Sequence, residues 1–192
     1  MAQLLNVFPV SSWVYEEASS DFYNRRLFWI GCLPVITLNN DPESSIDYKV
    51  KKFRSPAAAR VSSISIDVLS GYKHDCDAFL QARKHVVKSA IAAFDGFKAK
   101  RRYCQVMCYT NPDRGIKGAD FDLLTFVASQ LGNFRWVVFF VNSEPKDSTR
   151  PTGETIFEIV GQVVEPLAEI IGREADVIFP NDNAGLICFE TR

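Results

Sequence analysis

The residues of this 192-residue chain that are best suited to chemistry are few and scattered. Its two histidines, His74 and His85, stand eleven positions apart. A helix over 75–95 would separate them by roughly 16 Å along its axis, so they cannot share an ion. Cys104 and Cys108 have a spacing that invites metal ligation. On a strand over 103–110, however, their α-carbons would lie about 13 Å apart, too far for one tetrahedral site. Cys76 sits in His74-Asp75-Cys76-Asp77 near a helix start, where the helix dipole lowers a thiol pKa but two aspartates oppose the thiolate. Capping is the better use of that acidic cluster. No nucleophile elbow, P-loop or glycine-rich dinucleotide motif occurs. The reading therefore assigns no metal and no cofactor, and it leans against catalysis.

One catalytic alternative stays open. Pro112-Asp113 is followed, at the end of the next expected strand, by Glu144-Pro145-Lys146. This spacing resembles the PD…(D/E)xK pattern of metal-dependent nucleases. The resemblance implies Mg²⁺ held by Asp113 and Glu144, with Lys146 positioning water. The chain departs from that pattern in two ways: an expected helix over 120–131 intervenes where the family has a hairpin, and Pro145 falls where a strand residue belongs. The competing reading is a pair of surface turns.

Charge is more informative than motif. The 22 basic and 23 acidic residues leave a net of −1, which excludes a uniformly basic nucleic-acid binder. Residues 73–102 nevertheless hold eight basic side chains against three acidic ones, a net of +5. Residues 153–192 hold eight acidic against two basic, a net of −6. Two such poles let copies of a chain associate head to tail or meet a charged partner. Lys98, Lys100, Arg101 and Arg102, with Phe97 and Tyr103 adjacent, form a possible phosphate-binding patch with rings for stacking. The competing reading is a solvated connector.

The N-terminal segment adds Trp13, Tyr15, Phe22, Tyr23, Phe28 and Trp29, rings that suit a protein interface but also an ordinary core. Trp13 and Trp29 are taken as the interface candidates. The unit 61–96, in which SISIDV leads through SGYKHDCD to a helix ending AAFDGF, resembles the strand–helix unit of small phage tail-completion or terminator proteins. That likeness implies ring assembly through the two poles. The favoured expectation is thus a non-catalytic interaction or assembly protein, a particle subunit or a partner inhibitor, that binds a protein or itself. A nucleic-acid partner ranks behind that, and a membrane is not expected.

The elements that must carry these residues follow from periodicity. Residues 31–38 and 46–53, joined by Asn39-Asn40-Asp41-Pro42, read as a hairpin, and the N-terminal third as a whole reads as short strands and loops. Residues 61–68 alternate, with Ile64, Ile66 and Val68 opposite Ser63, Ser65 and Asp67, as a half-buried strand does. Helical spacing follows over 75–95 and 120–131. The run 134–142 is apolar on both faces, the mark of a central strand covered on both sides. A third helix is expected from near Thr152 to Gly172, with a kink or restart at Pro166. Residues 176–179 and 185–190 close the chain as a hairpin. The whole predicts one compact α+β domain: a mixed sheet with about three helices on it and antiparallel hairpins at both ends. Five cysteines, an odd number, together with no long apolar run and no signal-like opening, fit a reducing cytoplasm or a particle assembled there.

Overall fold

In a computed structural model of the chain, the described residues are 12–31, 60–69, 77–94, 100–110, 116, 118–143 and 155–190. They form helix α1 (Ser12–Arg25), strands β1 (Leu27–Gly31) and β2 (Ser63–Leu69), helix α2 (Asp77–Ala93) and strand β3 (Arg101–Thr110). Helix α3 (Gly118–Ser129), strand β4 (Phe134–Ser143), helix α4 (Ile156–Ile171) and strands β5 (Asp176–Asn181) and β6 (Ala184–Glu190) complete them. The fold is α+β, with six strands in one mixed sheet of order β1-β2-β3-β4-β6-β5. Strands β1 to β4 run parallel, β6 is antiparallel to β4, and β5 is antiparallel to β6. Strand β5 therefore points the same way as β1.

One face of the sheet is apolar in successive register rows. Ile64, Cys104, Val137 and Phe189 form one row, and Ile66, Val106, Phe139 and Ile187 the next. All eight are fully buried, and they share one core with Val87, Ala90 and Ile91 of α2, Leu124, Val127 and Ala128 of α3, and Ile159, Val160 and Val163 of α4. Helix α3 packs between α2 and α4. Parallel crossovers that advance steadily along a sheet place their helices on one side, because each crossover is right-handed. The other face is only half-buried along β3 and β4, at Tyr103, Gln105, Met107 and Tyr109 and at Val138, Phe140 and Asn142. Central strand β4 was expected to be covered on both sides; its second side is partly open, with Trp136 at 37% exposure. Strand β2 differs in the opposite sense. Ser65 and Asp67, the expected polar face of a half-buried strand, are buried.

The expected middle and C-terminal elements are all present, with ends moved by a few residues. The N-terminal third departs from expectation: residues 12–25 are helical, and the strand that follows pairs in parallel. Side-chain packing explains this better than helix propensity. The stretch is rich in Ser and aromatic residues, which are middling helix formers. Tyr23 stacks on Phe28 of β1 at 5.6 Å, Phe22 meets both rings edge-on, and Tyr23 and Phe28 join the core. The expected hairpin over 31–38 and 46–53 lies outside the described residues, apart from Gly31 in β1.

Helix α4 begins at Ile156 with Thr155 as its N-cap; Thr152, near which the start was expected, lies outside the described residues. Thr155 and Glu158 form a capping box, in which the Glu158 N–H donates to Thr155 Oγ1 and the Thr155 N–H donates to Glu158 Oε2. The helix runs without a restart through Pro166. The carbonyl that Pro166 cannot serve belongs to Gln162, an exposed position where water can satisfy it. Gly172 ends the helix at φ 70° and donates its N–H to Ala168 O at 2.9 Å, the left-handed cap that favours glycine. Ile170 stands 39% exposed in the last turn.

Candidate functional site

Four of the strands begin side by side, and one outward-facing residue near the start of each falls on one register row. Leu27 of β1 pairs with Ser63 of β2, Ser63 with Tyr103 of β3, Tyr103 with Trp136 of β4, and Trp136 with Glu190 of β6. Leu27, Ser63, Tyr103 and Trp136 form the floor of a cavity of about 470 Å³ whose walls are completed by Arg25, at the end of α1, and Arg102. Neighbouring strands stand 4.7–4.9 Å apart, so the row from Leu27 to Trp136 extends roughly 14 Å. Ser62, just before β2, ties the corner together: its N–H and hydroxyl both donate to Tyr23 O, and its own carbonyl accepts from the N–H groups of Arg102 and Tyr103.

The electrostatics of the row are graded. Arg25, Arg26, Arg60, Lys100 and Arg102 are all exposed around the starts of β1 to β3. Arg25 forms an ion pair with Asp21 one helical turn back. Surface pairs of this kind contribute little and exchange readily. At the opposite end Glu190 beside Trp136 and Asp176 at the start of β5 stand among exposed Arg135 and half-buried Arg173, whose guanidinium donates to the Phe134 and Gly132 carbonyls, so charge there is mixed. Burial pushes the Tyr103 phenol above its ordinary pKa, with the neighbouring Cys104 and Cys188 adding to the effect, so the phenol keeps its proton at neutral pH. Burial likewise raises the thiols of Cys104 and Cys188, which makes both poor nucleophiles.

The structure separates the residues that sequence reading had grouped. Arg102 and Lys100 stand exposed, but Arg101 does not join them: it is 5% exposed. Its guanidinium donates to Val61 O and Phe94 O and lies 5.7 Å over the Phe94 ring. The cause is an irregularity at the start of β3, where the N–H groups of Arg102 and Tyr103 both donate to Ser62 O. Regular alternation is broken there, and Arg101 turns toward Val61 and Phe94 although it stands two residues from outward-facing Tyr103. Lys98, Phe97, Asp113, Glu144, Lys146 and His74 lie outside the described residues, and His85 is exposed on α2. The strands that precede Asp113 and Glu144 end next to each other, with Thr110 in register with Ser143. Trp13 lies within α1, and Trp29 stands 64% exposed on β1.

Tyr103 was anticipated as a stacking partner; Arg25, Leu27, Ser63 and Trp136 were not. Their one shared signal is that each stands at or beside a strand start, and register between strands distant in sequence decides the rest. Among the described residues no three His, Cys, Asp or Glu side chains come together to hold a metal ion, and no helix is long and apolar enough to cross a membrane. Comparison with protein-family models, with curated proteins and with solved structures finds no match to this chain.

Proposed function

We propose that the protein is an assembly protein that joins copies of itself through the two opposite edges of its sheet. The observation that supports this reading is the pairing of exposed apolar side chains with opposite charge at those edges. On β1, Leu27 is 49% and Trp29 64% exposed, with Arg26 and Arg60 exposed at that edge beside the Arg25–Asp21 ion pair. On β5, Ile178 is 53% exposed and Val177 is exposed beside it, with Glu174, Asp176 and Asp182 alongside against the one basic residue Arg173. Large apolar side chains on an edge strand are an open invitation to pairing, which monomeric proteins usually blunt. Opposite charge selects β5 of one copy against β1 of the next and disfavours either edge against itself.

Strand direction agrees with that choice. Because β5 and β1 point the same way, a second copy in the same orientation would continue the sheet as a parallel pair. The two strands have matching lengths of six and five residues. Such a contact is heterologous, so it builds a ring or an open chain of subunits rather than a symmetric dimer.

Light scattering at low and high salt tests the reading, since contacts steered by charge weaken as salt screens them. Trp29→Glu disables one edge and Ile178→Lys the other. Each variant alone should be monomeric, while a mixture of the two should give a one-to-one dimer and nothing larger, because one good edge remains on each. A wild-type chain that stays monomeric at low salt and high concentration would overturn the proposal.

A further inference from the structure

The cavity at the strand starts lies on the open face of the sheet; it shares Arg25 and Leu27 with the β1 edge, but Ser63, Arg102, Tyr103 and Trp136 have no part in the assembly contact. We propose that this cavity binds a nucleotide, with the phosphate between Arg25 and Arg102 and the base over Tyr103 and Trp136. It is an open depression of about 470 Å³, wide enough to admit a ligand from solvent. Its composition is narrow: two arginines, two aromatic residues, the hydroxyls of Ser63 and Tyr103, and one aliphatic residue, Leu27. Arginine matches phosphate oxygens with paired donors, and aromatic rings on a sheet surface stack on bases without regard to sequence.

The gradient along the row fixes the orientation. The Arg25 end carries Arg25, Arg26 and Arg60, whereas at the Trp136 end Glu190 stands among Arg135 and Arg173. A phosphate is drawn more strongly to the first end than to the second. At the second end a base can offer its amino hydrogens to the Glu190 carboxylate. The Asp21 carboxylate already on Arg25 does not block the site, because an exposed pair is readily exchanged for a phosphate that also meets Arg102. Tyr103, still protonated, and Ser63 supply hydroxyl donors between the two ends.

The same chemistry comes from a free mononucleotide or from one unit of a single strand, and the sources are separable. Isothermal titration and tryptophan fluorescence would be run with inorganic phosphate, adenosine monophosphate and a ten-nucleotide single-stranded oligomer. Binding of the mononucleotide should exceed that of phosphate alone and quench the Trp136 emission. An oligomer that binds much more tightly than the monomer identifies a strand as the ligand, and equal affinities identify the free nucleotide.

Trp136→Leu should weaken binding about 5- to 100-fold, the cost of one lost stacked base. Arg102→Gln should weaken it as well, and for the oligomer should flatten the salt dependence by about 0.7 of a log unit per log unit of salt. Both variants must first show wild-type circular dichroism, and exposed Arg102 provides a second probe should Trp136→Leu misfold. Phe157→Ala, which removes an exposed side chain of α4 on the helix-covered side of the sheet, should leave the affinity unchanged. The proposal is overturned by phosphate binding as well as the mononucleotide, by no binding of either nucleotide probe, or by Trp136→Leu binding like wild type.

Discussion

A β-carbon on Gly185 would stand 2.6 Å from Cγ2 of Val160. Strand β6 and helix α4 therefore approach as closely as a strand and a helix can, with only hydrogen between the strand backbone and the Val160 methyl. Gly185 also pairs with Val141 of β4 and lies against the Phe179 ring. Three elements converge on one residue without a side chain.

Gly185→Ala should accordingly destabilise the fold by about 1–3 kcal/mol, the usual cost of forcing a methyl into a packed core. Urea unfolding measures this directly. Val160→Ala in the same background should recover part of the loss, because it removes the methyl that clashes. A double variant no more stable than Gly185→Ala alone would mean that the contact is not the cause.

The capping box of α4 predicts an acid dependence. Hydrogen bonds from the Thr155 backbone, and next from its hydroxyl, hold the Glu158 carboxyl below its ordinary pKa. A carboxyl lowered only in the folded state stabilises the fold above its unfolded value, about 4.3, and that contribution is lost as pH falls through the folded value. The melting temperature of the wild type should therefore drop more steeply below about pH 4.3 than that of Glu158→Gln, and the two curves should converge in acid. Curves that stay parallel would remove Glu158 from the account. Thr155→Ala, which deletes the cap itself, should cost about 1 kcal/mol at neutral pH.

Arg101 and Arg102 are neighbours in sequence and should behave as opposites. Arg101→Met removes the donor to the Val61 and Phe94 carbonyls and leaves them buried without it, at a cost of about 1–3 kcal/mol. Arg102→Met changes an exposed side chain and should stay within about 0.5 kcal/mol of wild type. Chemical denaturation of the pair distinguishes a core arginine from a surface one, and equal effects would contradict the burial of Arg101.

Much of the fold was legible because each middle segment repeats with a single period. Phe79, Ala82, Val86 and Ala90 recur at helical spacing, and 134–142 is too apolar and too short for anything but an inner strand. The C-terminal hairpin announced itself through Pro180-Asn181-Asp182-Asn183. Helix α1 was not legible, since its apolar stripe is weak and its stability comes from Tyr23 and Phe28 meeting across a turn.

The candidate site was legible only in fragments. Tyr103 and the basic run beside it were visible, but nothing local brings Leu27, Ser63 and Trp136 onto one row. That alignment depends on the register of three parallel pairings whose members are more than 30 residues apart. Arg101 was misgrouped for a related reason: a basic run read as a connector has no inside, whereas the irregular start of β3 turns this one residue toward the Val61 and Phe94 carbonyls.

The strand order also has a consequence for synthesis. Strands β1 to β4 join the sheet in the order in which they are made, but β6, the last of the six to leave the ribosome, takes an interior place between β4 and β5. Until residues 184–190 emerge, the far side of β4 has no partner, and β5 has nothing to attach to. A nascent chain thus carries its most apolar strand, Phe134–Ser143, with one hydrogen-bonding edge bare for the time needed to translate some 40 further residues, about 2–8 s at ordinary elongation rates. Helix α4, made during that interval, can shelter the apolar face of β4 but not its edge, so the final seven-residue strand is the step that turns an aggregation-prone intermediate into a finished sheet.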